Sequence, residues 1–282
     1  MKLDKSKIVE KILISIAILY LIVILIIPIV SVFFNAFQKG FKFYLASITE
    51  IYTLKALKLT LITVLVTVPI NTIFGVAAAY AIAKFEFKGK SVLLAVLDLP
   101  FAISPIISGL IFILIFSPNH GYLGEVLSNH NIKIIFATPG IIIATLFVTM
   151  PFIAKELIPL MESLGNEEEE AANVLGANGF QIFFKVTLPN IKWGLFYGII
   201  LTISRAAGEF GAVSVVSGHI RGLTNTIPLH IEVLYNEYQY NAAFAVASIL
   251  TVIAIINLII KNLSSIKFKT NKDKKLAKGE VS

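Results

Sequence analysis

The sequence predicts an all-α, polytopic membrane protein with six transmembrane helices. Three observations carry this. Only 15% of the 282 residues are charged against 57% hydrophobic, at a mean hydropathy of +0.86, where soluble domains average about 25% charged. The apolar residues fall into six runs, at about 12–36, 57–83, 91–116, 134–158, 191–215 and 242–262. Each is long enough for a spanning helix, which needs roughly 20 mostly apolar residues. Finally, lysine and arginine are distributed unevenly between the connections.

The first run follows a basic segment, 1–11, with Lys2, Lys5, Lys7 and Lys11. This start mimics a signal peptide. A cleavable apolar region is about 7–15 residues, whereas the run from Ile12 to Phe34 is long enough to span, so it is read as a retained first helix. All six runs must be helical, because lipid offers no partner to open backbone. With the N-terminus on the cytoplasmic side, seventeen Lys and Arg lie on the inner face and six on the outer, with Arg205 inside the fifth run. Basic residues favour the cytoplasmic side, so both termini are expected inside. The domain plan is then a cytoplasmic segment 1–11, a six-helix membrane-spanning bundle 12–262 and a basic tail 263–282 that serves as a positive-inside signal. The net charge of +7 does not indicate a nucleic-acid partner, since the lysines flank apolar runs next to lipid. Cysteine is absent, which excludes disulfides and thiolate sites.

Polar residues inside the runs are candidates for function, because ionisable groups there are costly. Asn71 in the second run is expected to bridge helices. In the third, Asp98 either caps a helix end freed by Pro100 or pairs with a basic group across the bundle. Pro105 interrupts helical hydrogen bonding. The freed N–H groups with the Ser104 and Ser108 hydroxyls suit an oxyanion, or else the segment is a kinked packing helix. In the fifth, Gly194, Gly198, Thr202, Arg205, Gly208, Glu209 and Ala212 recur at helical spacing, so this small and polar face is expected to meet protein or pore. Arg205 either binds an anion through its fork of donors or forms a buried pair with Glu209.

Between the fourth and fifth runs stands EEEEAANVLGANGFQIFFKVTLP, residues 167–189. Asn166 with Glu169 fits a capping box. Glu167 to Glu170 crowd a first turn, where the helix dipole favours negative charge. Gly176 fits a left-handed terminator. A second short helix is expected from about Asn178 to Val186, ending before Pro189.

The spacing Glu170-Ala171-Ala172, three residues, Gly176, nine residues, Val186-Thr187-Leu188-Pro189 resembles the EAA loop of ABC importer permeases, with Val186 in place of the family's isoleucine. Further segments carry the resemblance across about 58–261. They are LPFAISPIISGL, LFVTMPFIAKELIPLME, TLPNIKWGLFYG and RAAGEFGAVSVVSGHIRGLTNTIPLHIEVLYNEY. They look like the sulfate/thiosulfate importer permeases, CysW type. Molybdate and tungstate permeases share parts of the pattern. The resemblance implies a type I ABC importer permease fold with a cytoplasmic coupling helix in the loop 162–189. It implies docking of an ATPase subunit at Glu170, Ala171, Ala172, Gly176, Val186, Leu188 and Pro189. It also implies a second permease subunit, as a heterodimer or a homodimer, and an extracytoplasmic anion-binding protein. That protein is expected to touch the outer loop 217–241 near His219 and Arg221.

The chain itself is expected to bind no cofactor and catalyse nothing. A phosphate-binding loop needs G-x-x-x-x-G-K-[ST]. Gly89-Lys90-Ser91 supplies the end, but Lys84 occupies the first glycine position. ATP and Mg are therefore expected on the partner ATPase. His219 and His230 do not make a metal site. A secondary anion transporter predicts inverted repeats, which are not evident and would leave 167–189 unexplained. An intramembrane enzyme lacks a catalytic pair.

Overall fold

A computed structural model describes residues 5–118 and 121–277, with the side chains of 5, 6, 8 and 261–277 outside the description. The expected segments 1–11 and 263–282 thus lie partly outside the described residues. Among those residues all regular secondary structure is helical. The helices are α1 (Val9–Phe37), α2 (Phe41–Ile48), α3 (Ile51–Lys84), α4 (Lys90–Ala102), α5 (Pro105–Phe116), α6 (Gly124–Asn129), α7 (Thr138–Leu164), α8 (Glu167–Val174), α9 (Gly179–Ala207), α10 (Gly211–Ser217), α11 (Ile227–Asn236) and α12 (Tyr240–Ala277). Five are long and apolar enough to cross a membrane: α1, α3, α7, α9 and the Tyr240–Ile260 part of α12. The α12 helix continues to Ala277, through most of the stretch expected as a tail.

The third expected span is not one helix. It is α4 and α5, bent by 109°. At 1.5 Å per residue each is about 20 Å long, short of a bilayer core of about 30 Å. The bend follows from two prolines. Pro100 removes a donor near the end of α4, and Pro105, fixed in φ, opens α5 after extended backbone at Ile103 and Ser104. The fifth span also differs from expectation. It begins at Gly179, well before 191, and stops at Ala207. Gly208 ends it, and the Glu209 carboxylate reaches forward to accept the Ala212 N–H at 2.8 Å in the first turn of α10, a separate short helix. The two breaks lie side by side. A Cβ on Gly211 would meet Pro105 Cβ at 2.9 Å, and one on Gly109 would meet the Ala212 carbonyl at 2.8 Å.

The core joins α3, α4, α7 and α9 through Ala79, Ile82, Leu97, Ile153, Leu157 and Ile191, all fully buried. The small residues of α9 act there as expected. A Cβ on Gly198 would stand 3.3 Å from Ile153 Cα, so the α7 and α9 backbones pack closely. Buried hydroxyls are satisfied locally: Thr60, Thr63, Thr67, Thr145 and Thr149 each donate to a carbonyl four residues back. Asn71 bridges helices as expected, donating to Thr149 Oγ1 at 2.8 Å and to the Leu146 carbonyl at 3.1 Å.

The segment 217–241, expected as an outer loop, is more structured than a loop. Its α11 buries Ile227, Leu229 and His230 against α3 and α12. The His230 ring lies 3.1 Å from Thr53 Oγ1. Burial first, then the Arg221 cation, hold its pKa below the ordinary value, while Glu50 and Glu237 oppose this more weakly. Native His230 therefore resists protonation, and the unfolded chain takes up the proton at about pH 6.5. Stability from this group is present above that pH and lost as pH falls below it. Thermal unfolding in detergent should show the melting temperature falling from about pH 7.5 to about pH 5.5, and His230→Gln should flatten that slope.

Candidate functional site

Two places bring chemistry-bearing residues together. The first is the loop after α7. Four glutamates occupy the first turn of α8, and Gly176 ends it at φ +86°, in the left-handed region. The Ala177 N–H then reaches back to the Ala172 carbonyl at 3.0 Å, satisfying an end carbonyl as such terminators do. The start of α8 departs from expectation. Asn166 makes no side-chain cap; its Oδ1 accepts from Lys84 Nζ at 3.1 Å. A capping box forms one helix later, between Asn178 and Gln181.

The glutamate run divides by role. Glu169 takes the Lys84 ammonium at 3.2 Å and the Thr187 hydroxyl. Glu168 accepts from Asn190 Nδ2. Lys84 also donates to the Gly165 carbonyl. Lys84, the last residue of α3, is nearly buried, with 6% of its side chain exposed. The α8 helix is thus clamped onto α3 and α9, while Glu167 and Glu170 face outward. Sequence reasoning missed this clamp. The available signal was a lysine closing a long apolar helix opposite an acidic first turn.

The second helix does not stop before Pro189. Residues 183–187 form a π-turn that runs directly into Leu188–Ala207. The wider turn accommodates a proline that cannot donate and would crowd the preceding turn. As a result Val186 and Leu188 are half-buried. Val186 lines a small cavity beneath α8, and Leu188 packs on the core. With Pro189 they form the joint of the loop, not its tip. The tip is made by Val174, Leu175 and Phe180, which are 87%, 88% and 80% exposed, beside exposed Ala171 and Gly176 and half-buried Ala172.

Lys84→Met should remove the clamp while leaving the apolar part of the side chain. Hydrogen bonds to charged groups are worth about 1.5–3 kcal/mol. Transport through the assembled complex should fall about tenfold or more, with faster amide exchange across 166–174 and partial rescue by Lys84→Arg. Unchanged exchange there would show that the clamp does not hold α8.

The second place is a cleft of ≈ 410 Å³ where the two broken helices meet, lined by Pro100–Pro105, Val148, Phe152 and Arg205. Of the expected path residues, Ser104 and Arg205 line it. Glu209, 2% exposed, stands behind Arg205 and pairs with it. Ser108 is not available to an oxyanion: it is buried, and its hydroxyl donates to the Ser104 carbonyl at 3.2 Å. The broken span turns its first turn inward. Asp98 does not cap a helix; its carboxylate pairs with Lys155 of α7. Lys155, counted on the inner face from sequence, lies inside a span, because α7 extends to Leu164. In the segment 217–241, Arg221 binds Glu237 at 2.8 Å and lies over the Tyr52 ring at 4.9 Å. His219 Nδ1 is 3.9 Å from Glu232.

Comparison with known proteins places this geometry. The family model "Binding-protein-dependent transport system inner membrane component" matches residues 71–266. A protein named sulfate transport system permease protein CysW from Synechocystis sp. is 47% identical, over 93% of this chain and 94% of its own. The protein of that name from Escherichia coli is 46% identical, over 89% and 86%. The sulfate transport system permease protein CysT of E. coli is 34% identical, over 89% and 91%. A solved bacterial alginate ABC transporter, in complex with an alginate-bound periplasmic protein, has a chain of the same fold, with a TM-score of 0.78 at 18% identity over 94% of this chain and 96% of that one. The chain therefore belongs to the binding-protein-dependent inner-membrane permeases of ABC transporters, with the type I permease fold, and stands among the CysW-type members of that family.

Proposed function

We propose that this chain is the membrane subunit of an ATP-driven importer that moves sulfate, or thiosulfate, across the cell membrane by alternating access. The observation that carries the reading is the clamped helix–Gly–helix element, with its apolar tip of Val174, Leu175 and Phe180 exposed at one end of the bundle. That tip fits the cleft of an ATPase subunit, which supplies ATP and Mg. Both termini and the tip are cytoplasmic, in keeping with the lysine and arginine distribution. The names of the 46–49% identical relatives support sulfate as cargo. A related second permease completes the path, and a binding protein delivers the anion near His219 and Arg221. The chain performs no chemistry itself.

In this mechanism ATP draws the two motors together. The coupling helices move with them, and the clamp at Lys84 and Glu169 passes the motion to α3 and α9. The cleft then opens outward, and the anion meets Ser104 and the Arg205 guanidinium, whose planar donors match an oxyanion. Hydrolysis resets the inward-facing state.

The test is ATP-dependent uptake of radiolabelled sulfate by the reconstituted complex, in competition with molybdate and tungstate. Sulfate uptake suppressed only by excess of either metal oxyanion supports the reading. Suppression at trace molybdate or tungstate keeps the architecture and moves the cargo to those anions.

A further inference from the structure

The Lys155–Asp98 pair is not explained by packing. Lys155 lies nine residues before the end of α7 at Leu164, and Asp98 eight residues after the start of α4 at Lys90. At 1.5 Å per residue both charges stand about 12–14 Å from those helix ends, within the depth of a hydrocarbon layer about 30 Å thick. Yet their side chains are 40% and 53% exposed. Charges open at this depth face protein or a water-filled cavity, not lipid.

Their position identifies the cavity. Val148, Phe152 and Lys155 follow one another at steps of four and three, on one face of α7. Val148 and Phe152 line the cleft that contains Arg205. Lys155 continues that face about 10 Å from Val148 along the helix. Between them the Phe101 and Phe152 rings meet edge to face, with centroids 5.5 Å apart. The order along this line is Arg205 with Glu209, then the two rings, then Lys155 with Asp98. Each cation carries one carboxylate counter-ion.

We propose that Lys155 is a second anion station of the translocation path, on the α8 side of the Phe101–Phe152 pair, with Asp98 as its exchangeable counter-ion. This rests on the anion-permease reading above. A tetrahedral dianion that passes the rings displaces the Asp98 carboxylate from the Lys155 ammonium. Return of the carboxylate releases the anion toward the α8 end. An ammonium is a compact point charge without a fixed fork, which suits a release site, where binding must be weak enough to leave.

The complete complex in proteoliposomes tests this, with labelled sulfate uptake and ATP hydrolysis measured together. The double variant Lys155→Gln/Asp98→Asn removes both charges and keeps a hydrogen-bonding pair of similar shape. The station predicts that sulfate moved per ATP falls about tenfold in it, and that Lys155→Arg retains most of the ratio. Asp98→Asn alone should make uptake more sensitive to sulfate placed inside the vesicles, because the anion then leaves an unpaired ammonium. An unchanged ratio in the double variant overturns the station and leaves the permease reading intact. If the double variant does not assemble, unchanged sensitivity of Asp98→Asn to internal sulfate overturns it instead. A wild-type complex that moves none of sulfate, molybdate and tungstate overturns the permease reading, and the station with it.

Discussion

Gly176→Asp leaves the chain inserted in the membrane and lowers uptake by about 100-fold or more, the scale of an unpaired charge at a docked interface. The substitution carries two separate costs. Gly176 has φ +86°, and no atom lies within 4 Å of a Cβ built on it. Within the chain, a side chain there meets only the left-handed backbone penalty, roughly 1–2 kcal/mol, which aspartate and asparagine bear best. The bundle should therefore fold. On the docking proposed above, the larger loss arises where the tip, with exposed Val174 and Leu175 beside Gly176, would be buried against the ATPase subunit. There a new carboxylate must shed water without a partner. Gly176→Asn has nearly the same shape and no charge, so it should retain more than a tenth of wild-type uptake. The readout is sulfate uptake with ATPase stimulation in the reconstituted complex. Normal uptake by Gly176→Asp would refute the docking assignment.

Arg205→Ala should be more damaging to the protein than loss of an anion contact alone. Glu209 is 2% exposed, and Arg205 is its ion partner. Removing one member of a fully buried pair costs about 3–5 kcal/mol, because the other charge is left uncompensated; the cost here is smaller, since the Arg205 side chain is 31% exposed. We expect poor accumulation and a lowered melting temperature for Arg205→Ala. Glu209→Gln in the same chain should restore the folded protein, since a glutamine oxygen still accepts the Ala212 N–H that starts α10. It should not restore transport, because the cleft then has no guanidinium. Arg205→Lys keeps the pairing charge and loses the fork, so its uptake should fall about tenfold with folding intact. Full transport by Arg205→Lys would mean that Arg205 orders the bundle and does not recognise the anion by two hydrogen bonds.

The coupling loop and the cleft differ in how much of them the sequence revealed, for a physical reason. The loop is built from local rules. A glycine supplies a left-handed end, and acidic residues favour a helix start. These depend on neighbours within a few positions, so the helix–Gly–helix form was legible. The clamp was not, because Lys84 and Glu169 are 85 residues apart and meet only when α3 and α7 end at the same level. Asn166 lost its expected capping role to that same lysine.

The sequence by itself determined the class of protein, the existence of five of the long helices and the family. Lipid forces each long apolar run to satisfy its own backbone, so hydropathy maps onto α1, α3, α7, α9 and α12 with few alternatives. Only the tertiary structure decided where helices break. A span through 91–116 or 191–215 is allowed by composition. Pro105 and Gly208 permit a break, but the close approach of α5 to α10 through Gly109 and Gly211 holds the two breaks together. That juxtaposition opens the cleft, turns Ser108 away from it, and leaves Asp98 to Lys155. Hydropathy is a property of each segment alone, whereas a cleft between broken helices exists only once the segments pack.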